Sequence, residues 1–272
     1  MGILPVIDEP ISPPEEYRSD RLFVHIRLEE DETQIAQVQA LEDAGHPVVR
    51  LELEDEYDLG GQFFLWEFAT AVASYRLGIN PFDQPNVESA KVLARRQVET
   101  FRKCGELAAP PPSFERDDIL VFMDERAGDP ETVLENFLQG APYGTYVVLQ
   151  AYLPPNPDID AALQFLRSKI WDFTSLPTVV GYGPRFLHST GQLHKGDAGR
   201  GLFIQITAED HHDLPIPDEA GSPDSSLSFG VLKMAQAAGD RQALLDAGRQ
   251  IVRFHIKGNI AANLKRLVEY LF

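Results

Sequence analysis

Residues 21–53, RLFVHIRLEEDETQIAQVQALEDAGHPVVRLEL, contain two strand patterns separated by one helical pattern. In residues 21–28 apolar and polar side chains alternate with the two-residue period of a half-buried strand. Ile35, Val38 and Leu41 recur at helical spacing, and Gly45 is placed to end that helix. Residues 47–53 are a second strand pattern. The segment therefore predicts a β–α–β unit, from which parallel α/β layers are built.

The rest of the chain contains further helix and strand patterns, which fall into two blocks. Residues 58–77 and 85–103 predict two long helices, followed by a Pro-rich stretch within residues 106–117 that predicts a linker. A second α/β run then has predicted strands at 118–123, 145–153, 178–182, 202–207 and 250–257, and predicted helices at 130–139, 159–171, 226–238 and 260–271. We predict an α/β protein with a tail (1–20), a first domain (21–105), a linker (106–117) and a second α/β domain (118–272), in which residues 210–225 form a mobile loop.

Composition excludes several classes of function. The chain has 272 residues, with 24 Lys and Arg against 42 Asp and Glu, which gives a formal charge of −18. Such a balance argues against a nucleic-acid backbone or an anionic membrane surface as the main partner. No apolar run reaches the roughly 18 residues that a membrane-spanning helix needs. The single cysteine, Cys104, and the absence of a secretory pattern in residues 1–17 predict a reducing, cytoplasmic setting.

Residues 80–91, NPFDQPNVESAK, are a polar, Pro-rich loop that leads into a helix. Gln84 stands beside the first helical N–H groups, and such groups form a natural anion site. Lys91 follows about two turns later and flanks the apolar stripe of the helix. Two interpretations stay open: Lys91 reaches into a cleft beside the loop, or it pairs with Glu88 on the helix surface.

Glu67 stands among mainly apolar neighbours. One turn away along its helix are Phe63, Phe64, Thr70 and Ala71. We expect partial desolvation, which would raise the pKa of Glu67 and suit acid–base chemistry. The alternative is a buried carboxylate that is bonded to a backbone group or an arginine.

Residues 185–200 concentrate positive charge in an acidic chain. Glycines surround Ser189 and Thr190, so backbone N–H groups can approach an anion closely. The cationic or titratable residues of the segment are Arg185, His188, His194, Lys195 and Arg200. One interpretation is contact with a sugar phosphate or a partner domain, with His188 or His194 carrying a proton. The other is an interface in which these cations pair with acidic surface.

The run Asp210-His211-His212-Asp213 resembles a metal-ligand set only superficially. Adjacent histidines rarely converge on one ion without further ligands. We therefore predict a solvated loop here and no metal site.

Residues 82–88, FDQPNVE, together with Lys91 resemble the second signature of glucose-6-phosphate isomerases, Phe-Asp-Gln-x-Gly-Val-Glu-x-x-Lys, with Asn86 at the usual glycine. Glu67 also falls where that family carries a glutamate. Residues 183–196, GPRFLHSTGQLHKG, resemble the isomerase part of bacterial bifunctional transaldolase/glucose-6-phosphate isomerases. There a second sugar-isomerase (SIS) domain precedes a C-terminal α/β extension. The resemblance covers residues 21 to the end.

This resemblance implies an SIS-like parallel sheet flanked by helices, and a cofactor-free aldose–ketose isomerase acting on hexose 6-phosphates. Lys91 would open the ring or stabilise charge, and Gln84 would position substrate. Combining this resemblance with the charge pattern of residues 185–200, we predict a set of catalytic and a set of substrate-binding residues. The predicted catalytic residues are Lys91, Glu67 and His194, and the predicted substrate-binding residues are Gln84, Arg185, His188, Ser189, Thr190 and Lys195.

Parts of the isomerase pattern are absent from the sequence. The Gly-Gly-Arg-(Phe/Tyr)-Ser signature, the Ser/Thr-rich phosphate loop and a transaldolase barrel are not found. We therefore expect a C-terminal portion that needs an N-terminal SIS domain or a catalytic partner subunit. The alternatives are a non-catalytic module that binds a sugar phosphate or docks onto a partner, and a structural unit that forms a homodimer.

Overall fold

The computed structural model describes residues 2–123, 133–210 and 212–269. The chain divides into two compact units, one of Glu9–Asp83 and one of Gln84–Phe272 with Met1–Asp8. The predicted boundary lay at residues 106–117 instead. The difference arises because the helix Pro85–Cys104 packs along the helix Phe229–Asp246 and so belongs to the larger unit. Leu4, in the predicted tail, packs against an apolar cluster of that unit.

The smaller unit is the β–α–β segment predicted from residues 21–53, followed by a long helix. Its elements are β1 (Phe23–Leu28), α1 (Ile35–Asp43), β2 (Val48–Leu53) and α2 (Leu59–Leu77). The two strands are parallel, with Phe23 opposite Val48 and Leu28 opposite Leu53. Gly78 ends α2 in a left-handed conformation, φ 69°, which glycine adopts without a steric penalty.

The smaller unit leaves much of its apolar surface open. Ser74 is the buried residue of α2, whereas Phe63, Phe64 and Phe68 are 63%, 70% and 61% exposed. Val24, Ile26 and Leu28 of β1 are also exposed. Parallel sheets are normally covered on both faces, so this surface is unusual for a protein of this class.

The larger unit contains the remaining elements in chain order. They are α3 (Pro85–Cys104), β3 (Phe114–Arg116), β4 (Ile119–Phe122), α4 (Val133–Leu138), β5 (Tyr146–Tyr152), α5 (Pro157–Thr174), β6 (Thr178–Tyr182), α6 (Gly191–Gly196), β7 (Gly201–Ala208), β8 (Pro215–Ile216), β9 (Leu227–Ser228), α7 (Phe229–Asp246), β10 (Gln250–Ile256) and α8 (Ile260–Glu269). The predicted helices over 130–139 and 260–271 extend into residues 130–132 and 270–271, which lie outside the described residues.

A six-stranded sheet in the order β3-β4-β10-β7-β5-β6 forms the centre of this unit. The strands β10, β7, β5 and β6 are parallel, as an α/β fold predicts, while β4 runs antiparallel to β10 and β3 antiparallel to β4. The β3–β4 hairpin lies partly within the predicted linker. Asp117 and Asp118 have φ values of 46° and 65°, and two consecutive left-handed residues form the tight turn that pairs these strands.

Helices cover both faces of the sheet, but the side chains packed on the two faces differ in chemistry. One face carries a continuous apolar core with α4, α5 and α8, which includes Leu149, Ile204 and Phe254. The other face lies beneath α7, and α3 packs outside α7. Among the described residues, no helix is both long enough and apolar enough to cross a bilayer.

The helix α7 and the loop before it differ from prediction. The helix was expected over 226–238 and runs instead from Phe229 to Asp246. The loop predicted at 210–225 contains β8, which pairs with β9 through Ile216 and Leu227. The extra turns of α7 carry Gly239 and Asp240, both buried against neighbouring elements, so tertiary packing prolongs the helix beyond its clear apolar pattern.

Candidate functional site

The start of α3 is anchored on α6. Pro85 is the first residue of α3, and Gln84 precedes it without a capping hydrogen bond from its side chain. The backbone N–H of Asn86 donates to Gln192 Oε1 at 3.0 Å. A Cβ placed on Gly196 would lie 2.9 Å from Asn86 Nδ2. The two segments singled out in the sequence, 80–91 and 185–200, therefore meet through Asn86, the residue that departs from the isomerase signature.

A cavity of about 230 Å³ opens beside this contact and is called the lysine cavity below. Its lining residues are Val87, Ala90, Lys91, Ala94, Leu187, His188, Gly191, Lys195 and Gln236. It thus unites three of the predicted site residues: Lys91, His188 and Lys195. Lys91 Nζ lies 3.7 Å from Glu88 Oε2, with both side chains about half exposed. The two interpretations of Lys91, an ion pair with Glu88 on the helix surface and a position beside a cleft, therefore both hold.

Lys195 forms a buried ion pair. Its side chain is 2% exposed, and its ammonium contacts Asp240 Oδ1 on α7, whose side chain is fully buried. The ammonium also donates to the Gly191 carbonyl at 3.3 Å, and Gln150 Nε2 donates to Asp240 Oδ2 at 3.1 Å. Burial raises the pKa of Asp240, and the Lys195 charge opposes that shift. The expected substrate-binding ammonium already has a carboxylate partner, so it holds α6 to α7.

His194 is enclosed by aromatic rings. Its side chain is 1% exposed, with ring centroids 5.7 Å from Phe186 and 5.3 Å from Phe203. Neither ring nitrogen has a hydrogen-bond partner among the described residues. Burial, with the nearby Lys195 charge, lowers the pKa of His194 to about 3. The imidazole is neutral at ordinary pH and inaccessible, which does not suit the expected role of proton carrier.

The remaining predicted residues of the 185–200 segment lie nearer to solvent. Arg185 and His188 are in a short 3₁₀ turn and are exposed, as is Ser189, whose hydroxyl donates to the Phe186 carbonyl at 3.2 Å. The carbonyl of Thr190 accepts from the backbone of His194 at the start of α6. Arg200 donates to the Tyr143 carbonyl at 2.6 Å. Part of this positive segment is therefore structural, and Arg185 and His188 retain exposed side chains.

The environment of Glu67 differs from the prediction. Glu67 is exposed on α2, in the smaller unit, and its phenylalanine neighbours are exposed as well. The expected desolvation was wrong for this chain, because a face of Phe side chains desolvates a carboxylate only when something covers it.

The acidic and histidine run 210–213 serves the start of α7. Asp210 pairs with Lys233, and Asp213 Oδ1 accepts from the Gly230 N–H at 2.7 Å. His211 lies outside the described residues. Within the described ranges, no cluster of three His, Cys, Asp or Glu side chains is arranged to hold a metal ion.

Sequence reasoning missed the partners of these residues. Asp240 and Gln236 both lie on α7. Asp240 falls beyond residue 238, where the predicted helix ended, and Gln236 falls inside the predicted helix but was not among the predicted site residues. Gln150 and Gln205 occupy matching positions in mainly apolar strands and lie opposite each other in the register of β5 and β7. A glutamine at the equivalent position of two buried strands is the feature of the sequence that could have predicted a buried polar site.

Comparison with known proteins gives short matches. A 58-residue stretch is 45% identical to a glucose-6-phosphate isomerase of Limosilactobacillus reuteri, covering 21% of this chain and 13% of that protein. The isomerases of Leptospira biflexa and Heliobacterium modesticaldum match at 44% over 54 residues and 46% over 44, covering 19% and 16% of this chain and 12% and 10% of theirs. These matches support a relationship to glucose-6-phosphate isomerases. The chain aligns with only a small part of the length of these relatives.

Whole-chain comparisons add little. No family model matches the sequence. A hypothetical protein of Thermus thermophilus aligns over 91% of this chain and 55% of its own, with 16% identity and a TM-score of 0.40. At that TM-score the likeness carries no functional argument.

Proposed function

We propose that this chain supplies part of a sugar-phosphate isomerase that interconverts glucose 6-phosphate and fructose 6-phosphate. The observation that carries the proposal is the isomerase-like segment 82–91, with Lys91 on the wall of the lysine cavity. The short matches to glucose-6-phosphate isomerases support the same assignment. The particular relationship to the bifunctional transaldolase/isomerases rests on residues 183–196 and is part of the proposal.

The chemistry divides into steps that this chain can and cannot serve. Aldose–ketose isomerisation requires ring opening, transfer of a proton between C1 and C2 through an enediol, and a cradle for the phosphate. The Lys91 ammonium would stabilise the oxyanion that develops at the sugar, and Gln84 would orient the substrate beside it. His188, exposed on the wall of the same cavity, is the group placed to exchange a proton.

The base for the C1/C2 proton and the phosphate cradle would come from elsewhere. The exposed surface of β1 and α2 supports this part of the proposal, because a two-stranded parallel sheet with an uncovered aromatic helix is marginal alone. An N-terminal SIS domain or partner subunit would cover this surface and desolvate Glu67. A homodimer is the alternative cover, and sedimentation analysis of the purified chain distinguishes a monomer from a dimer.

A second candidate function is a non-catalytic sugar-phosphate-binding module. The observation in its favour is that His194 and Lys195, two of the expected site residues, are buried and used within the fold. Such a module would bind the sugar phosphate through Lys91 without turnover.

The test combines turnover with binding. We expect the 272-residue chain alone to give negligible conversion of fructose 6-phosphate in a coupled assay. Turnover at ordinary enzymatic rates would contradict the proposed incompleteness. The intact mass of the natural gene product, measured by mass spectrometry, decides whether the missing part belongs to the same chain.

Binding tests the assigned site. We expect Lys91→Gln to weaken binding of fructose 6-phosphate by about ten-fold, the effect of losing one charge-assisted hydrogen bond. Arg95→Gln is the matched control, since Arg95 lies on the same helix and pairs with Glu88 at 3.3 Å. Equal affinity in the two variants would remove Lys91 from the site.

A further inference from the structure

A second cavity of about 230 Å³ lies farther along the same two helices and is called the arginine cavity below. Its lining residues are Leu93, Arg96, Gln97, Thr100, Ala108, Ala109, Pro110, Ala238, Gly239, Arg241, Gln242 and Arg253. Three guanidinium groups therefore come from three elements: α3, α7 and β10. Among the described lining residues there is no acidic side chain. This is a concentration of positive charge in a chain whose formal charge is −18.

Arg253 is the residue that makes this cavity unusual. It is 6% exposed in the centre of the sheet, and its guanidinium carbon lies 3.7 Å from the centroid of the Phe122 ring. Its Nε is buried and has no hydrogen-bond partner among the residues that the structure describes. Burial, and secondarily the charge of Arg241, lower the pKa of Arg253 to about 10. A buried cation in this state is costly unless an anion compensates it.

The contact with Phe122 does not use the donors of Arg253. Guanidinium groups stack on aromatic faces while their N–H groups, which lie in the guanidinium plane, stay available for planar oxyanions. Phosphate and carboxylate groups match that fork with two parallel hydrogen bonds. Phe122 is itself buried and lies opposite Arg253 in the sheet register, so it fixes the position of the guanidinium.

The rest of the wall is rich in donors and partly fixed in place. Gln97 Oε1 accepts from the Ala108 N–H at 3.1 Å, which leaves the amide NH₂ of Gln97 as a donor and ties the segment 108–110 to α3. Arg96 is exposed on the same helix, so it can meet a ligand that enters from solvent. The volume is smaller than the roughly 300–1,000 Å³ of pockets for drug-sized ligands, so the ligand is small.

We infer that the arginine cavity binds a small phosphate-bearing anion, either free phosphate or a short phosphomonoester, through Arg253 and Arg96. This site is separate from the lysine cavity and does not depend on the proposed isomerase function. The lysine cavity uses residues 87–94 of α3 and Gln236 of α7, whereas the arginine cavity uses residues 93–100 and 238–242. Both cavities border α3 and α7, the lysine cavity nearer the start of α3 and the arginine cavity farther along it.

The experiment measures anion binding to the whole chain by isothermal titration calorimetry. Inorganic phosphate and glycerol 3-phosphate are titrated at constant ionic strength, with chloride as the comparison anion. We expect saturable binding of one equivalent. Equal affinities would identify free phosphate as sufficient, and tighter binding of glycerol 3-phosphate would identify a phosphomonoester.

Variants locate the site. Arg96→Gln and Arg253→Met should each weaken phosphate binding by about ten-fold or more, the effect of losing a charge-assisted hydrogen bond. Arg95→Gln, which makes the same change one residue earlier on α3, should leave the affinity within about two-fold, because exposed ion pairs contribute little. Lys91→Gln should also retain binding, which separates this site from the lysine cavity. Arg96 is on the surface, so its variant keeps the test decisive if Arg253→Met fails to fold.

Three outcomes would overturn the inference. They are heat changes no larger than those of chloride, unchanged affinity in Arg96→Gln, and loss of binding in Lys91→Gln instead. None of these results bears on turnover by the isomerase, so the two proposals fail independently.

Discussion

Both faces of the central strands β5 and β7 are buried, but the two faces are chemically different. On the face that packs on α5 and α8, β5 contributes Val147, Leu149 and Ala151 to a continuous apolar core. On the face beneath α7, the same strand contributes Gln150 and Tyr152. All seven residues of β5 are buried, so hydropathy averaged over the strand does not distinguish the faces.

The polar face forms a row across three strands. Gln150, Gln205 and Arg253 lie opposite one another in the register of β5, β7 and β10. The row leads from the Lys195–Asp240 pair at the lysine cavity to Arg253 at the arginine cavity. Buried polar groups are costly, and here they coincide with the two cavities. The apolar face stabilises the fold. The polar face stabilises it less, because it holds charged groups in position.

The largest expected effect comes from breaking the buried ion pair. Asp240→Ala leaves the Lys195 ammonium unpaired in the interior, so we expect the free energy of unfolding to fall by about 3–5 kcal/mol. Urea denaturation of both proteins measures the difference. The double change Lys195→Met with Asp240→Leu should recover most of the loss. A double variant as unstable as Asp240→Ala would mean that the pair is not the source of the effect.

A helix contact over the polar face gives the next largest effect. A Cβ on Gly239 would lie 2.6 Å from the Ala94 backbone nitrogen and 2.9 Å from the Ala90 carbonyl oxygen on α3. Gly239→Ala should therefore destabilise the protein by about 1–3 kcal/mol through overpacking, as thermal denaturation can measure. Gly60→Ala on α2, which has nothing within 4 Å of the added carbon, is the control and should be neutral or slightly stabilising. Equal behaviour of the two variants would contradict the close approach of α3 and α7.

His194 predicts a pH dependence of stability. Its pKa is lowered from 6.5 to about 3 in the folded state, so between those values the unfolded chain binds more protons. Stability from this residue is complete above pH 6.5 and is lost as the pH falls, with a slope of at most about 1.4 kcal/mol per pH unit.

His194→Phe should remove this contribution, since phenylalanine does not titrate. Urea denaturation at a series of pH values compares the variant with the wild type and with His212→Gln, which changes an exposed histidine. A slope in His194→Phe as steep as in the control would show that His194 binds its proton equally well in the folded and the unfolded protein.

The smallest expected effect concerns Arg253 without a ligand. Arg253→Met removes a desolvated charge, which destabilises the fold, and a contact with an aromatic ring, which stabilises it. Because the two contributions oppose each other, the free energy of unfolding in phosphate-free buffer should change by less than about 1 kcal/mol. A matched change on the apolar face, Leu149→Ala, should cost about 2–5 kcal/mol. Differential scanning calorimetry in chloride buffer compares them. A large loss in Arg253→Met would mean that the guanidinium already has a strong partner within the fold.

Local patterns in the sequence predicted most elements of both units. The period-2 pattern of residues 21–28, the glycines after α2 and α3, and the strand at Thr178–Tyr182 agree with the structure within a few residues. These signals are local, because one residue type or one period determines each of them. The sequence does not predict the β3–β4 turn at Asp117 and Asp118, because Asp-Asp is a weaker hairpin signal than Asn-Gly or Asp-Gly.

The candidate site was predictable in composition but not in pairing. The sequence patterns point to Lys91 and His188, and these two residues line one cavity. The charge of Lys195 is evident in the sequence, yet its partner Asp240 lies 45 positions away on another helix. The environment of Glu67 depends on what covers α2, and no local pattern contains that information. The roles of all these residues in catalysis or binding stay predictions.

The missing side chain of Gly239 lets α3 and α7 approach closely, and both cavities border those two helices. The size of the residue at position 239 therefore affects the width of both cavities. A graded series of side chains at residue 239 would act as spacers of increasing thickness and would widen the two cavities together. Substitutions at the other lining residues would alter the cavities one at a time.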